Sequence, residues 1–251
     1  MSEAAIRVQN LKASYGPEVV LKDVSFSVAS GEIITILGGS GCGKTTLLKH
    51  MIGLEHAASG NVLIRGRNLA QSSGSEKLEI LKMIGVMFQS GALFGSMTVS
   101  ENIELALEEF TSLPPKARQT VARMKLDLVG LEEAGNKMPS EISGGMRKRA
   151  AIARAMALDP GILFLDEPSA GLDPVTSAEL DELILRLRST LGSTFVIVSH
   201  ELASIFAVAD RVIMLDKSVK GIIAEGVPSD LSENSTIPLV RAFFHRTPAK
   251  S

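Results

Sequence analysis

The sequence predicts an α/β protein in which a mostly parallel sheet is wrapped by helices and carries a helical insert. Three observations lead there. The runs Ile33 to Leu37, Ile162 to Leu165 and Thr194 to Ser199 are apolar, or nearly so, over a strand's length, as expected of strands covered on both faces. Helical segments follow the first of these, Lys44 to Ile52, and separate the other two, Thr176 to Thr190; strands alternating with helices build parallel sheets. From Thr98 to Ala157 the pattern changes to helix after helix.

Taken in order, Ile6 to Leu11 and Val19 to Val28 read as strands, the second from the alternation of Val24, Phe26 and Val28. Gly31 and Gly38 bound the first buried run. After the Lys44 helix, Asn61 to Arg65 is a short strand closed by a turn at Gly66. In the helical region Ile103, Leu105, Ala106 and Leu107 belong to one segment, and Leu126, Leu128, Val129 and Leu131 to another, punctuated by Pro114-Pro115 and Pro139. This places a helical subdomain at residues 89–140 within an α/β core of residues 1–88 and 141–226. Residues 227–251 form a C-terminal extension with a short helix from Pro238 to His245.

At 251 residues the chain suits one large domain or a core with a smaller insert, and 45% hydrophobic against 22% charged residues describes a globular protein. Lys and Arg number 26 against 28 Asp and Glu, so no overall basic field exists to hold nucleic acid, and no nucleic-acid partner is expected. The lone Cys42 excludes an internal disulfide, and Met1-Ser2-Glu3-Ala4-Ala5 lacks the regions of a secretory signal; both point to a reducing cytoplasm. No stretch approaches the ~20 apolar residues that cross a bilayer.

Gly38-Gly39-Ser40-Gly41-Cys42-Gly43-Lys44-Thr45 matches the phosphate-binding loop pattern between a predicted strand and a predicted helix, the context its chemistry requires. Glycines at 38, 39, 41 and 43 free the backbone to converge its N–H groups on phosphate oxygens, and the helix N-terminus adds partial positive charge. Lys44 then meets the β- and γ-phosphates, and the Thr45 hydroxyl ligates Mg²⁺. Ile162 to Glu167 supplies a strand ending in acids: Asp166 for the metal shell, and Glu167, one residue on, as the base that polarises a water.

With these motifs in place the whole chain resembles the ATP-binding-cassette ATPases. Ser143-Gly144-Gly145-Met146-Arg147 is similar to the signature sequence, Ser169-Ala170-Gly171-Leu172-Asp173 to the D-loop, His200 to the switch histidine, Gln89 to the Q-loop glutamine and Tyr15 to the adenine-stacking aromatic. The resemblance implies a P-loop ATPase fold with an antiparallel β subdomain beside the parallel core. It implies catalytic roles for Lys44, Glu167 and His200, nucleotide contacts extending through Thr46, and Gln89 joining Thr45 and Asp166 around Mg²⁺. It further implies a head-to-tail dimer in which Ser143, Gly144 and Gly145 cover the ATP of the opposite subunit and Asp173 communicates across the interface. A Ser hydroxyl and glycine N–H groups opening a helix suit that task, being a second anion site with no phosphate of their own.

Within transporters the finer pattern resembles the Mla-type ATPases of MCE lipid-transport systems. Three segments carry it: Met87 to Phe94, Glu101-Asn102-Ile103, and Pro139 to Ala150, where Met146 stands in place of the usual Gln and is followed by Arg-Lys-Arg. The implied protein is an ATPase subunit at the cytoplasmic face of an inner membrane, driving phospholipid movement that maintains outer-membrane lipid asymmetry. Its implied partners are membrane permease subunits, a second copy of itself, a periplasmic MCE lipid-binding protein and a small regulatory subunit. By the same resemblance, apolar Ala92, Leu93, Phe94, Met97 and Val99 lie where a permease's coupling helix would dock, or else they pack under the helical subdomain. An importer of amino acids or other small solutes is the alternative, and a non-catalytic assembly module a more distant one. The tail helix either contacts a neighbouring subunit or packs on its own core.

Overall fold

The computed structural model describes residues 4–247; the ends of the predicted segments 1–88 and 227–251, and the leader reading at Met1 to Glu3, fall outside them. The chain opens with β1 (Ala4–Tyr15), β2 (Glu18–Ala29) and β3 (Ile33–Gly38), then α1 (Lys44–Met51), β4 (Ser59–Ile64), β5 (Arg67–Asn68), α2 (Gly74–Leu81) and β6 (Ile84–Met87). Helices α3 (Val99–Phe110), α4 (Pro115–Leu128) and α5 (Gly144–Ala155) follow. The second half of the core is β7 (Ile162–Asp166), α6 (Pro174–Leu191), β8 (Thr194–Val198), α7 (Leu202–Val208), β9 (Arg211–Asp216) and β10 (Gly221–Gly226), and the chain closes with α8 (Pro228–Asn234) and α9 (Pro238–His245).

These strands form two sheets. The larger has the order β10-β9-β3-β8-β7-β6, parallel except for the edge pairing of β10 with β9. The smaller, β2-β1-β4-β5, is antiparallel throughout. Every residue of β3, β7 and β8 is buried, the state anticipated from their continuous apolar runs. Ile34, Ile36 and Phe164 face one core shared with the smaller sheet and α1, whereas Ile33, Leu163 and Leu165 face a second core under α3 to α6.

Several local expectations are corrected. β1 continues past Leu11 to Tyr15, through irregular pairing around Asn10, which takes a φ of 49° while its amide side chain reaches Asp23 at 2.7 Å. The helical segment predicted to include Val129 and Leu131 ends at Leu128. Gly130 turns the chain at a φ of 69°, and the N–H of Leu131 returns to the Leu126 carbonyl at 2.8 Å. Val129 and Leu131 are buried nonetheless, so their apolar signal marks core rather than helix. Arg65 lies beyond the strand end, at a φ of 46° in the turn with Gly66.

The segment Glu101-Asn102-Ile103 has a local physical account. Thr98 and Glu101 form a reciprocal cap on α3, the Thr98 N–H donating to the Glu101 carboxylate at 2.7 Å. Asn102 is 1% exposed and fully engaged: its amide donates to the carbonyls of Phe94, Met97 and Thr98, and its Oδ1 accepts from the Phe94 N–H at 2.7 Å. Ile103 anchors the helix in the second core. The loop before α3 is thereby pinned with Ala92 and Phe94 exposed and Leu93 and Met97 half-buried, but Val99 is fully buried and leaves the proposed docking surface. At the other end of the chain, Val240 and Phe244 of α9 bury themselves against Ile205 and Met214, and the ring of Phe244 meets that of Phe206 at 5.7 Å. The inner face of the tail helix thus packs on its own core.

Candidate nucleotide site

Strand register assembles the site. Gly38 lies opposite Leu215, Asp166 opposite Val198, and Leu165 opposite both Ile197 and Met87. The loops that leave β3, β6, β7 and β8 therefore open along one carboxyl-terminal edge, where parallel sheets bind ligands.

Between β3 and α1, Gly38, Gly41 and Gly43 take φ values of 145°, 74° and 104°. A side chain on Gly38 would also strike the Cys42 sulfur and the Leu215 carbonyl, and one on Gly43 would strike Leu21. Gly39 differs: its φ is not positive and a Cβ there would meet nothing within 4 Å, so the expected backbone demand for glycine applies at three of the four positions. Cys42 turns its side chain inward, 3% exposed in the first core, which pushes its thiol pKa up and leaves only its backbone to face a ligand. Ser40 and Thr45 are exposed and Thr46 half-buried. The Lys44 ammonium folds across the loop, donating to the carbonyls of Gly38 at 2.8 Å and Gly39 at 3.1 Å.

The two acids at the end of β7 are both nearly buried, Asp166 at 8% and Glu167 at 9% exposure. Burial, then the adjacent Glu167, raises the Asp166 pKa, against the pull of Lys148, Lys44 and Lys49. Glu167 holds a left-handed φ of 49°, uncommon for a side chain of its type. Its N–H donates to the Val198 carbonyl at 2.8 Å, and its own carbonyl accepts from the Lys148 ammonium at 3.0 Å. His200 Nδ1 lies 2.9 Å from both carboxylate oxygens but meets only Oε1 at hydrogen-bonding angles, so Oε2 is buried without a partner. A buried acceptor of that kind is costly unless something fills it, such as the proton of a bound water.

Other predicted residues fall at the margins. Gln89 is exposed just beyond β6, and its carbonyl accepts from Lys148 at 2.6 Å. Tyr15, at the end of β1, is 48% exposed, and its hydroxyl donates to Glu55 at 2.5 Å; Glu55 also accepts from Lys49 at 3.1 Å. Ser143 caps α5, its Oγ accepting from the Met146 N–H at 3.2 Å, which leaves the hydroxyl proton to donate elsewhere. Gly144 follows at the first helical position. Gly145 has a packing reason to be glycine, because a Cβ would lie 2.5 Å from Thr176 Cγ2 on α6. Met146 packs half-buried on the second core, where an amide would need a partner for its polar atoms. Asp173 caps α6, accepting from the Thr176 hydroxyl and from the N–H groups of Val175 and Thr176; these bonds lower its pKa and occupy its carboxylate within its own helix. Lys148, Arg154 and Glu55 had no expected role. Lys148 was visible only as one residue of the Arg-Lys-Arg run after Met146.

Residues 21–170 match the family model described as ABC transporter. The chain is 40% identical over 241 residues, 96% of its length and 69% of the relative's, to the probable ribonucleotide transport ATP-binding protein mkl of Mycobacterium leprae (strain TN). It is also 40% identical over 240 residues, covering 95% of the chain and 88% of the relative, to the intermembrane phospholipid transport system ATP-binding protein MlaF of Escherichia coli (strain K12). Among solved structures it is similar to a dimeric post-hydrolysis state of the ATP-binding cassette MJ0796 bound to ADP and Pi, with a TM-score of 0.80 and 30% identity over 88% of this chain and 98% of that one.

Proposed function

We propose that this chain, which belongs to the ABC transporter family as an ATP-binding, ATP-hydrolysing subunit that functions in a dimer, works beside a membrane permease and powers phospholipid transport of the Mla type. The observation that carries the hydrolytic part is the meeting of Lys44, Asp166, Glu167 and His200 along one sheet edge, with the Glu167 carboxylate buried beside His200 and its Oε2 left without a hydrogen bond.

In this reading ATP draws the Lys44 ammonium from the Gly38 and Gly39 carbonyls onto its phosphates, and the backbone of residues 38–46 cradles them. Asp166, Thr45 and Gln89 present a carboxylate, a hydroxyl and an amide, hard oxygen donors that suit Mg²⁺. The ion, when bound, neutralises charge that develops between the β- and γ-phosphates. Glu167 Oε2 takes the proton of the attacking water, while His200 holds Oε1 and so fixes the carboxylate's angle. The hydroxyl of Ser143 and the N–H groups of Gly144 and Gly145 contact the nucleotide of the second copy, and Asp173 sits beside that interface. Residues 89–140 are the subdomain that meets the permease, residues 1–88 and 141–226 the nucleotide-binding core, and 227–251 an extension. Among the described residues no helix is long and apolar enough to cross a membrane; in this reading the permease holds the subunit at the cytoplasmic face.

Tyr15 stacks on the adenine with the ring angle set by Glu55. Tyr15→Ala is expected to raise the KM for ATP by about 5-fold or more, as lost base stacking does. Tyr15→Phe keeps the ring and should stay within about 2-fold of wild type, since an exposed phenol bond contributes little. Steady-state phosphate release against ATP concentration separates the two.

The phospholipid reading is supported by the relative named for that transport and by the segments around Gln89, Glu101 and Met146. A relative of equal identity is named for ribonucleotide transport, which keeps a soluble, anionic cargo as the second reading; small solutes such as amino acids belong to the same arm of the test. Purification of the chain from native membranes with its partners, followed by mass spectrometry of proteins and lipids, decides between them. Permease, an MCE protein, a small regulatory subunit and enriched phospholipid are expected; a permease with a soluble-ligand receptor and no lipid would overturn the phospholipid assignment.

A further inference from the structure

Lys148 lies on α5, 8% exposed, five positions after the Ser143 cap. Its ammonium donates to two backbone carbonyls from segments remote in sequence: Gln89, 59 residues away, at 2.6 Å, and Glu167, 19 residues away, at 3.0 Å. One turn and a half further along the helix, Arg154 donates to the carbonyls of Ala92 at 2.6 Å and Gly91 at 3.0 Å. Ala151 lies three residues from both Lys148 and Arg154 along the helix, and Gly91 packs beside it, since a Cβ on the glycine would stand in ordinary contact at 3.4 Å from the alanine's. Helix α5 therefore grips the loop 89–92 at both ends, but only Lys148 extends the grip to Glu167.

The bond matters at Glu167 because of its backbone. A left-handed φ of 49° persists at a glutamate only where its surroundings hold it. The holding bonds are Glu167 N–H to Val198, and Ala170 N–H and Lys148 to the Glu167 carbonyl. Of these, Lys148 alone connects the strained residue to the loop beyond β6. Burying an ammonium for such a purpose is expensive: desolvation lowers the Lys148 pKa, opposed by the charges of Glu167, Asp166 and Glu201. A core with only packing to satisfy would use an apolar side chain here.

We propose that Lys148 is a positioning residue for ATP hydrolysis, which transmits the position of the 89–92 loop to the backbone that aims the Glu167 carboxylate. The inference rests on Glu167 being the base. Displacement of the loop, which carries the exposed Ala92 and precedes the exposed Phe94, draws the shared ammonium away from Glu167 and turns hydrolysis down. The contacts that Lys44 and the loop 38–45 offer to phosphate do not pass through Lys148.

The test uses the full chain with Lys148→Met, which keeps length and removes the donors. At saturating ATP, kcat is expected to fall by about 10-fold or more, the scale of a displaced catalytic group, with the dissociation constant for ATP, measured without Mg²⁺, unchanged within about 2-fold. In the nucleotide-free protein, amide hydrogen exchange is expected to rise together in residues 88–92 and 167–170, a paired response that simple loss of packing in α5 would not give. Wild-type kcat, a matched loss of ATP affinity, or faster exchange confined to α5 would each overturn the proposal. If the Met variant does not fold, Lys148→Gln, which reaches one carbonyl at a time, is read by the same criteria. Exchange in the nucleotide-free chain tests the bridge apart from the base, so a failure there is distinguishable from a failure of Glu167 itself.

Discussion

Glu167→Gln is expected to lose turnover while keeping ATP bound: steady-state phosphate release should fall by about 100-fold or more, within the range set by loss of a general base, and the dimer should accumulate in its ATP-bound form. The structure explains why the change is confined to chemistry. Gln has the same shape, and the backbone bonds to Val198, Ala170 and Lys148 do not involve the carboxylate, so the left-handed turn survives. His200 retains an oxygen to meet at Nδ1. What disappears is the acceptor for a water proton at Oε2, because with the amide oxygen turned to His200 the amide nitrogen stands in that place, a donor that cannot take the proton. A second effect favours binding: Glu167 is one cause of the raised Asp166 pKa, so a neutral neighbour makes the Asp166 carboxylate easier to ionise. Phosphate release measures the loss, and size-exclusion chromatography with ATP measures the trapped dimer. Hydrolysis within a few-fold of wild type would remove Glu167 from the role of base.

The parts of this arrangement that are contiguous in sequence are legible there, and those that are not arise from register. Gly38 to Thr45 and Asp166-Glu167 can be read because phosphate and metal chemistry demands neighbouring residues at a strand end. β3, β7 and β8 can be read because strands buried on both faces must be apolar throughout. The Glu167–His200 contact joins residues 33 apart, and neither side chain announces its partner; only the parallel alignment of β7 with β8 brings them to 2.9 Å. Short elements escape for another reason. β5 has two residues and β6 four, too few for a periodic pattern, and β6 is held instead by Gly85, where a Cβ would lie 2.1 Å from the Ala155 carbonyl of α5. β9 had a usable signal, the apolar run Val212 to Leu215, of the same kind as Ile162 to Leu165. Lys148 had none, since a buried lysine satisfied by carbonyls looks in sequence like any solvated lysine on a basic helix.

Lys44→Ala should show the complementary defect, with binding lost and therefore turnover with it. The ammonium spans the loop by its bonds to Gly38 and Gly39, at 2.8 and 3.1 Å. These are the bonds that phosphate oxygens replace, so one set of charge-assisted contacts is exchanged for another and the cation never enters an unsolvated, unpaired state. Truncation removes the receiving end of that exchange. Hydrogen bonds to a charged group contribute about 1.5–3 kcal/mol each, so losing the ammonium weakens ATP binding by about 30-fold or more. The fold is retained: α1 is anchored by Leu47, Leu48 and Met51 in the first core, and the variant loses only the two Lys44 bonds to the loop. Calorimetric titration of the folded variant with ATP should therefore show the loss of affinity. Affinity within about 3-fold of wild type would mean that the loop 38–45 does not receive phosphate through Lys44. Affinity lost in Lys44→Ala and retained in Glu167→Gln is the pair of outcomes that separates a phosphate-holding cation from a water-activating base, two roles that loss of ATPase activity alone would not tell apart.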